Sequence, residues 1–356
     1  MIYDNFDSLG KDTIKVTRQD FIDKIGADGM KDIIRKVLLG GNVRDTTEFI
    51  TQRRLLSSYA AVIDLFANCI ADKTGDVHEY ASFVAQDLSR IKTKKLRTLD
   101  LWLLGLTGKG VDNIVRDEAN LASYKDAFAD TVIETASDMQ KHFGDVSGKI
   151  TINGKDIHLD WNSLLLLCNT LGVQTLSIRG SAKSMNGKLF EKLMLGSLLS
   201  IMGFSYCPDP PTNIDKSQKL FWLSNMDENE RETDATLVYN GKAVSIDIGF
   251  IGKGNPEITL DKVTRFNRYK QIAGMEHDMA TIIIVDTVSE HSDLFNKAKK
   301  VEGTVLQMSH CDWVIDFAKQ IKLIFGIEHP LLQIPSSGLG DYLKSALEPI
   351  DIKGFL

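Results

Sequence analysis

The residues best suited to chemistry are two acids, Asp234 and Asp247, set among strand-forming residues. Ala235–Tyr239 and Ala243–Ile251 are rich in Val, Ile, Thr and Phe, with Asn240-Gly241 between them. Asn-Gly supplies the positive φ angles of a tight type I′ turn, so a β-hairpin is expected. Asp234 lies six residues before Asn240 and Asp247 six after Gly241, which brings both acids to the open end. Asp247 interrupts its strand between Ile246 and Ile248, where an acid is costly unless something pairs it. Two converging carboxylates suit a hard, oxygen-loving cation such as Mg²⁺. The bland alternative is a pair of strand-edge acids, one capping a turn and one exposed. The spacing alone leaves both readings open.

The elements that must position these acids follow from periodicity. Residues 1–150 read as helical. Thr17 is placed to cap a helix running to Leu39, and further helices fit Thr47–Ala71, Val77–Ile91, Leu99–Leu106 and Val111–His142. Between two of them lies Arg90–Arg97, the densest basic stretch, which is either a solvated helix end or a contact to a phosphate backbone. Lys149–Leu159 alternates around Asn153-Gly154, so a small hairpin is expected, with a domain boundary near Gly144–Gly148.

Asp160 is placed to cap a helix Trp161–Leu171 ended by Gly172, followed by a strand Val173–Ile178 and a polar loop to Gly187. A helix over Lys188–Met202 would carry Glu191 in its first turn, where an acid complements the helix dipole. A strand Lys219–Leu223 precedes the hairpin. After it come a loop Gly252–Pro256, a helix Glu257–Ile272, a strand Met279–Val285, a helix Glu290–Val301, a strand Thr304–Met308 and helices Asp312–Phe325 and Leu339–Leu347. The order predicts an α/β (α+β) protein: a mixed central sheet flanked by helices, behind an N-terminal all-helical region. The expected segments are 1–148, 149–330 and a tail, 331–356.

Composition narrows the class. A chain of 356 residues, 43% hydrophobic and 25% charged, suits two domains of an ordinary globular protein. No apolar run approaches the length that spans a bilayer, and Met1–Gly10 does not resemble a signal peptide, so no membrane partner is expected. The four cysteines are scattered and the seven histidines form no pair at ligand spacing, which argues against a zinc site and for reduced thiols in the cytoplasm. A net charge of −6 argues against a protein that coats nucleic acid indiscriminately, while allowing a local basic cleft.

An acid early in a helix ending in Gly-Phe, a strand, an acid opening a hairpin and an acid inside the next strand together resemble the PD-(D/E)xK nuclease superfamily. Glu191, Asp234 and Asp247 match its helix acid, first motif acid and strand acid, over residues 187–309. Gly40-Gly-Asn-Val-Arg, Arg179-Gly-Ser-Ala-Lys-Ser and Asp247-Ile-Gly-Phe-Ile-Gly-Lys-Gly-Asn-Pro further resemble type II restriction endonucleases of the CfrBI type. Two positions depart from the pattern. Thr233 stands where the family has Pro, and Gly249 where it has the lysine that orients water or stabilises transition-state charge. Lys253 has the right parity but lies six residues beyond Asp247, ~20 Å of extended chain. Lys262, on the expected following helix, is the preferred replacement and Lys253 the second. Either is equally readable as a phosphate contact or a surface lysine.

The resemblance implies Mg²⁺-dependent hydrolysis of phosphodiester bonds in double-stranded DNA at a short palindromic site. It implies a homodimer working in a prokaryotic cytoplasm as part of a restriction-modification system. Asp234 and Asp247 would hold the metal and Glu191 would support the site. Arg179, Lys183, Lys188 and Lys192 against Glu191 make one flanking segment basic; Lys253, Lys262, Arg265, Arg268 and Lys270 against Glu257 and Asp261 make another. Arg179, Lys183 and Lys188 are then expected to bind DNA, and Arg265, Asn267 and Arg268 to read bases, since Arg suits guanine and Asn suits adenine. The N-terminal helices would serve dimerisation, recognition or both. The competing readings are a repair or resolving nuclease on the same fold, and a non-catalytic DNA-binding protein with Gly249 as the mark of decay.

Overall fold

The computed structural model describes residues 1–14, 16–70, 73–108, 115, 117–224, 233–249, 269–272, 275–287 and 303–356. Two compact units emerge, one from residues 1–17 and 48–184 and the other from 18–47 and 185–356.

Among the described residues the first unit is helical apart from one hairpin. It contains α1 (Ser8–Ile14); α2 (Arg18–Ile25) and α3 (Ala27–Leu38) belong to the second unit. Most of α4 (Val43–Leu65) follows, then α5 (Val77–Arg90), α6 (Lys94–Leu103), α7 (Glu118–Phe143), the strands β1 (Gly148–Ile152) and β2 (Lys155–Leu159), and the first part of α8 (Trp161–Ile201). α5 shows why these segments are helices. Asp76 caps it, accepting from the His78 and Glu79 N–H groups at 2.9 and 3.1 Å. Its buried stripe Val77, Tyr80, Ala81, Val84, Leu88 then recurs at three and four residues. Tyr80, Trp102, Phe66 and Phe6 fill this core.

The second unit is built on a mixed seven-stranded sheet: β3 (Ser205–Tyr206), β4 (Leu220–Leu223), β5 (Ala235–Tyr239), β6 (Lys242–Gly249), β7 (Tyr269–Ile272), β8 (Met275–Val285) and β9 (Gly303–Gln307). The order is β3-β4-β5-β6-β8-β7, and β9 also pairs with β8. β6, β8 and β9 run parallel, whereas β5 is antiparallel to both β4 and β6. Leu237, Val244, Ile246, Ile248, Ile282, Ile284 and Leu306 share one face, because their register partners and alternate residues fall on it.

Helices cover that apolar face. Phe325, ending α9 (Trp313–Phe325), meets the Tyr239 ring at 6.2 Å between centroids. Phe355, beyond α10 (Leu339–Leu347), meets Phe221 at 6.3 Å. Gly196 of α8 lies so close that a Cβ there would come within 2.5 Å of the Phe355 ring.

The observed architecture is mixed α/β, as the sequence predicts. Both Asn-Gly hairpins, the strands at 220–223 and 303–307 and the helices at 313–325 and 339–347 fall where expected. Three local expectations need correction. The strand Val173–Ile178 and the loop to Gly187 do not exist, because α8 is a single helix of 41 residues. Gly172, Gly180 and Gly187 weaken it by ~1 kcal/mol each relative to Ala. Buried Leu166, Val173, Ile178, Ala182, Leu189 and Leu193 along the same helix offset that cost. The helix expected from Thr17 to Leu39 breaks at Gly26, whose φ of 80° a helix cannot hold. Residues 269–272 form β7, an edge strand paired to β8, rather than a helix end. The sheet extends by the short β3, which no periodicity marked. The compact units divide at 17/18, at 47/48 and, within α8, at 184/185. The expected loop at 252–256 and helix at 290–301 lie outside the described residues. Among the described residues no helix is long and apolar enough to cross a membrane.

Candidate active site

The β5–β6 hairpin has the geometry its sequence calls for. Asn240 and Gly241 take φ of 50° and 75°, the left-handed pair of a type I′ turn. From that turn the ladder runs Tyr239↔Lys242 to Ala235↔Ile246. The next step puts Asp234 opposite Asp247. Two hydrogen bonds hold Asp234 there. Its carbonyl accepts the Ser224 N–H at 3.1 Å, prolonging the β4–β5 ladder. Its carboxylate Oδ2 accepts the Ile248 N–H at 2.8 Å. The Asp234 side chain therefore reaches across to β6, next to Asp247.

Asp247 is 4% exposed. The face it lies on is graded in polarity. Near the turn that face is apolar, with Trp222, Val238 and Ala243 packed together with Ile214. One row further come the buried hydroxyl residues Thr236, Ser245 and Thr281, in register across three strands. The acids follow. In its own row Asp247 has the apolar Ile283 on β8, so its polar surroundings are Asp234 and the neighbouring hydroxyl row, without which a buried acid would be costly. Among the described residues no group of three or more His, Cys, Asp or Glu converges. Two carboxylates still fit Mg²⁺, which typically takes one or two carboxylates and completes its shell with waters and phosphate oxygens.

Glu191 lies deep inside α8, not in a first turn, so the helix dipole does not explain it. It is half-buried and belongs to the same compact unit as the two acids. Lys188 is exposed on the same part of α8, and Lys183 and Arg179 are exposed on the part belonging to the first unit. Arg179 pairs with Glu48 at 2.9 Å and, with Gln52, holds that carboxyl below its usual range. Lys253, Lys262, Arg265, Asn267 and Arg268 lie outside the described residues.

One acid escaped the sequence reading. β6, β8 and β9 end together, with Gly249 opposite Val285 and Val285 opposite Gln307. Asp286 comes next, 8% exposed, its N–H donating to the Gly249 carbonyl at 3.2 Å and its own carbonyl accepting from Ser309 at 3.1 Å. In open α/β sheets, ligands gather outside such carboxyl ends. The signal was present: Asp286 directly follows the apolar run Ile282–Val285.

Comparison with known proteins places this geometry in context. A model of the CfrBI restriction endonuclease family matches residues 27–293. The chain is 36% identical over 348 residues to the type II restriction enzyme CfrBI of Citrobacter freundii, spanning 96% of this chain and 95% of that one. No solved structure matches it.

Proposed function

We propose that this chain, which belongs to the CfrBI restriction endonuclease family and is a type II restriction endonuclease, cuts duplex DNA at the mouth of the β5–β6 hairpin. The observation that carries the site is the Asp234 carboxylate bound to the Ile248 N–H at 2.8 Å, beside buried Asp247. Asp234 and Asp247 hold Mg²⁺. When bound, the ion lowers the pKa of a coordinated water and neutralises charge on the scissile phosphate. The Ile248 N–H fixes one oxygen of Asp234, so the carboxylate is oriented before substrate arrives.

Glu191 supports the metal directly or through a water. Lys262, or failing it Lys253, brings the cation that position 249 lacks. Lys183, Lys188 and Arg179 contact the DNA backbone, with Arg179 exchanging Glu48 for phosphate. Arg265, Asn267 and Arg268 read base edges of a short palindromic site. The enzyme acts as a homodimer in a bacterial cytoplasm, where its DNA target is found.

Substituting Asp247→Asn tests this reading. Cleavage of bacteriophage DNA in Mg²⁺ should fall by well over the ~10–100-fold that loss of a merely supporting partner costs. Circular dichroism should stay unchanged. A folded variant that cuts normally removes Asp247 from the site.

A further inference from the structure

We infer that the α5–α6 corner of the first unit is a DNA-backbone clamp, formed by Arg90, Lys92, Lys94 and Lys95 with the N-terminus of α6. This rests on the reading of the chain as an enzyme acting on duplex DNA. It adds a surface that neither the paired acids nor the basic part of α8 includes.

Four observations carry it. All four side chains are exposed, and residues 89–98 contain no acid. Some exposed cations elsewhere are matched to carboxylates: Lys36 meets Asp32, Lys149 meets Asp156, Lys319 meets Asp316 and Lys353 meets Asp23. Among the described residues none of the four in this corner has such a partner.

The second observation is the helix end itself. The first turn of α6 holds Lys94 and Lys95 and no acid, and its N-cap Thr93 makes no side-chain cap. α2, α3, α5, α7, α9 and α10 all place an acid in that turn. The N-terminus is the positive end of a helix, so lysines there are unfavourable to the folded protein alone. A phosphate reverses the sign, since both the open N–H groups and the lysines then face an anion.

Third, the chain as a whole carries −6, so a local run of this density stands against the general charge. Fourth, the nearest acid along α6 does not offset it. Asp100 is wholly buried, and burial, followed by the nearby Asp87 carboxylate, pushes its pKa up to about 8.

A phosphate backbone carries no sequence information, so this surface should add affinity without changing where the enzyme cuts. The test compares wild type with the triple variant Lys92→Ser, Lys94→Ser, Lys95→Ser. Each binds a mixed-sequence duplex in Ca²⁺ over a series of salt concentrations, and each digests bacteriophage DNA in Mg²⁺. Thermal midpoints establish that both are folded. The slope of log affinity against log salt should shrink by roughly 2–3, about 0.9 for each phosphate that the variant no longer neutralises. The fragment pattern should stay the same, and Lys→Arg at the same positions should restore the slope. An unchanged slope in the folded variant overturns the clamp, and so does a changed fragment pattern, which would mean base reading. Wild type that neither binds nor cuts duplex DNA would instead overturn the nuclease reading on which the clamp depends.

Discussion

Asp247 and Asp100 are both buried acids, in different surroundings. Asp247 lies one row beyond Thr236, Ser245 and Thr281 and has Asp234 beside it, an arrangement suited to holding a cation. Asp100 is fully buried in the helical unit, and neither of its oxygens has a hydrogen-bond partner among the described residues. Burial and the neighbouring Asp87 therefore keep its proton on up to a pKa of about 8, against 3.8 unfolded. The sign follows from proton counting. Between these values the folded state binds a proton that the unfolded state has released, so stability is greatest below the unfolded value and is lost as pH rises through the folded one. The loss is about 1.4 kcal/mol per pH unit at most. Thermal midpoints of wild type should accordingly fall from pH 5 to pH 8. Asp100→Asn, which cannot ionise, should flatten that fall and gain most at the alkaline end. Parallel pH profiles of the two proteins would refute the protonated state.

At the scale of the element, the hairpin is held in register by its turn. Asn240 and Gly241 both occupy the left-handed region, and the ladder from Tyr239↔Lys242 onward sets Asp234 against Asp247. A side chain at position 241 strains that conformation. Gly241→Ala should cost about 1–2 kcal/mol in urea unfolding. Once folded, the variant keeps the same register, so cleavage at low temperature should persist. A loss of activity greater than the loss of folded protein would mean the turn does more than set register. α8 teaches the complementary lesson. Its glycines signal breaks locally, yet buried leucines and isoleucines on both sides keep it continuous, so Glu191 is placed by packing and not by a helix end.

For the whole molecule, the substrate dictates the expectation of symmetry. The strands of a duplex are antiparallel, and one active site in one orientation cuts one strand. Two copies related by a two-fold axis cut both strands of a palindrome in one encounter. The proposed self-contact lies in the N-terminal helices, where α4 exposes Phe49 at 76% and Leu56 at 64%, seven residues apart on one face. Sedimentation velocity should find full-length protein dimeric. Phe49→Asp with Leu56→Asp should shift it towards monomer, and double-strand breaks should give way to nicks. A wild-type monomer on its DNA site would contradict the symmetry, and a dimer undisturbed by the two substitutions would contradict its location.

The sequence by itself determined the local half of the proposed site. An Asn-Gly turn, alternating strand residues and two acids at equal distances from that turn specify a hairpin and its converging carboxylates, because every interaction involved lies within a few residues. The helices of the N-terminal region were legible for the same reason. Tertiary structure alone decided the rest. The length of α8 depends on what it packs against, and β3 is a strand because of β4, which lies beyond an intervening loop. Asp286 comes beside Gly249 only because β6 and β8 are parallel, a pairing that the intervening chain leaves unwritten. Whether a buried acid keeps its charge is decided in the same way, since desolvation depends on everything packed around it.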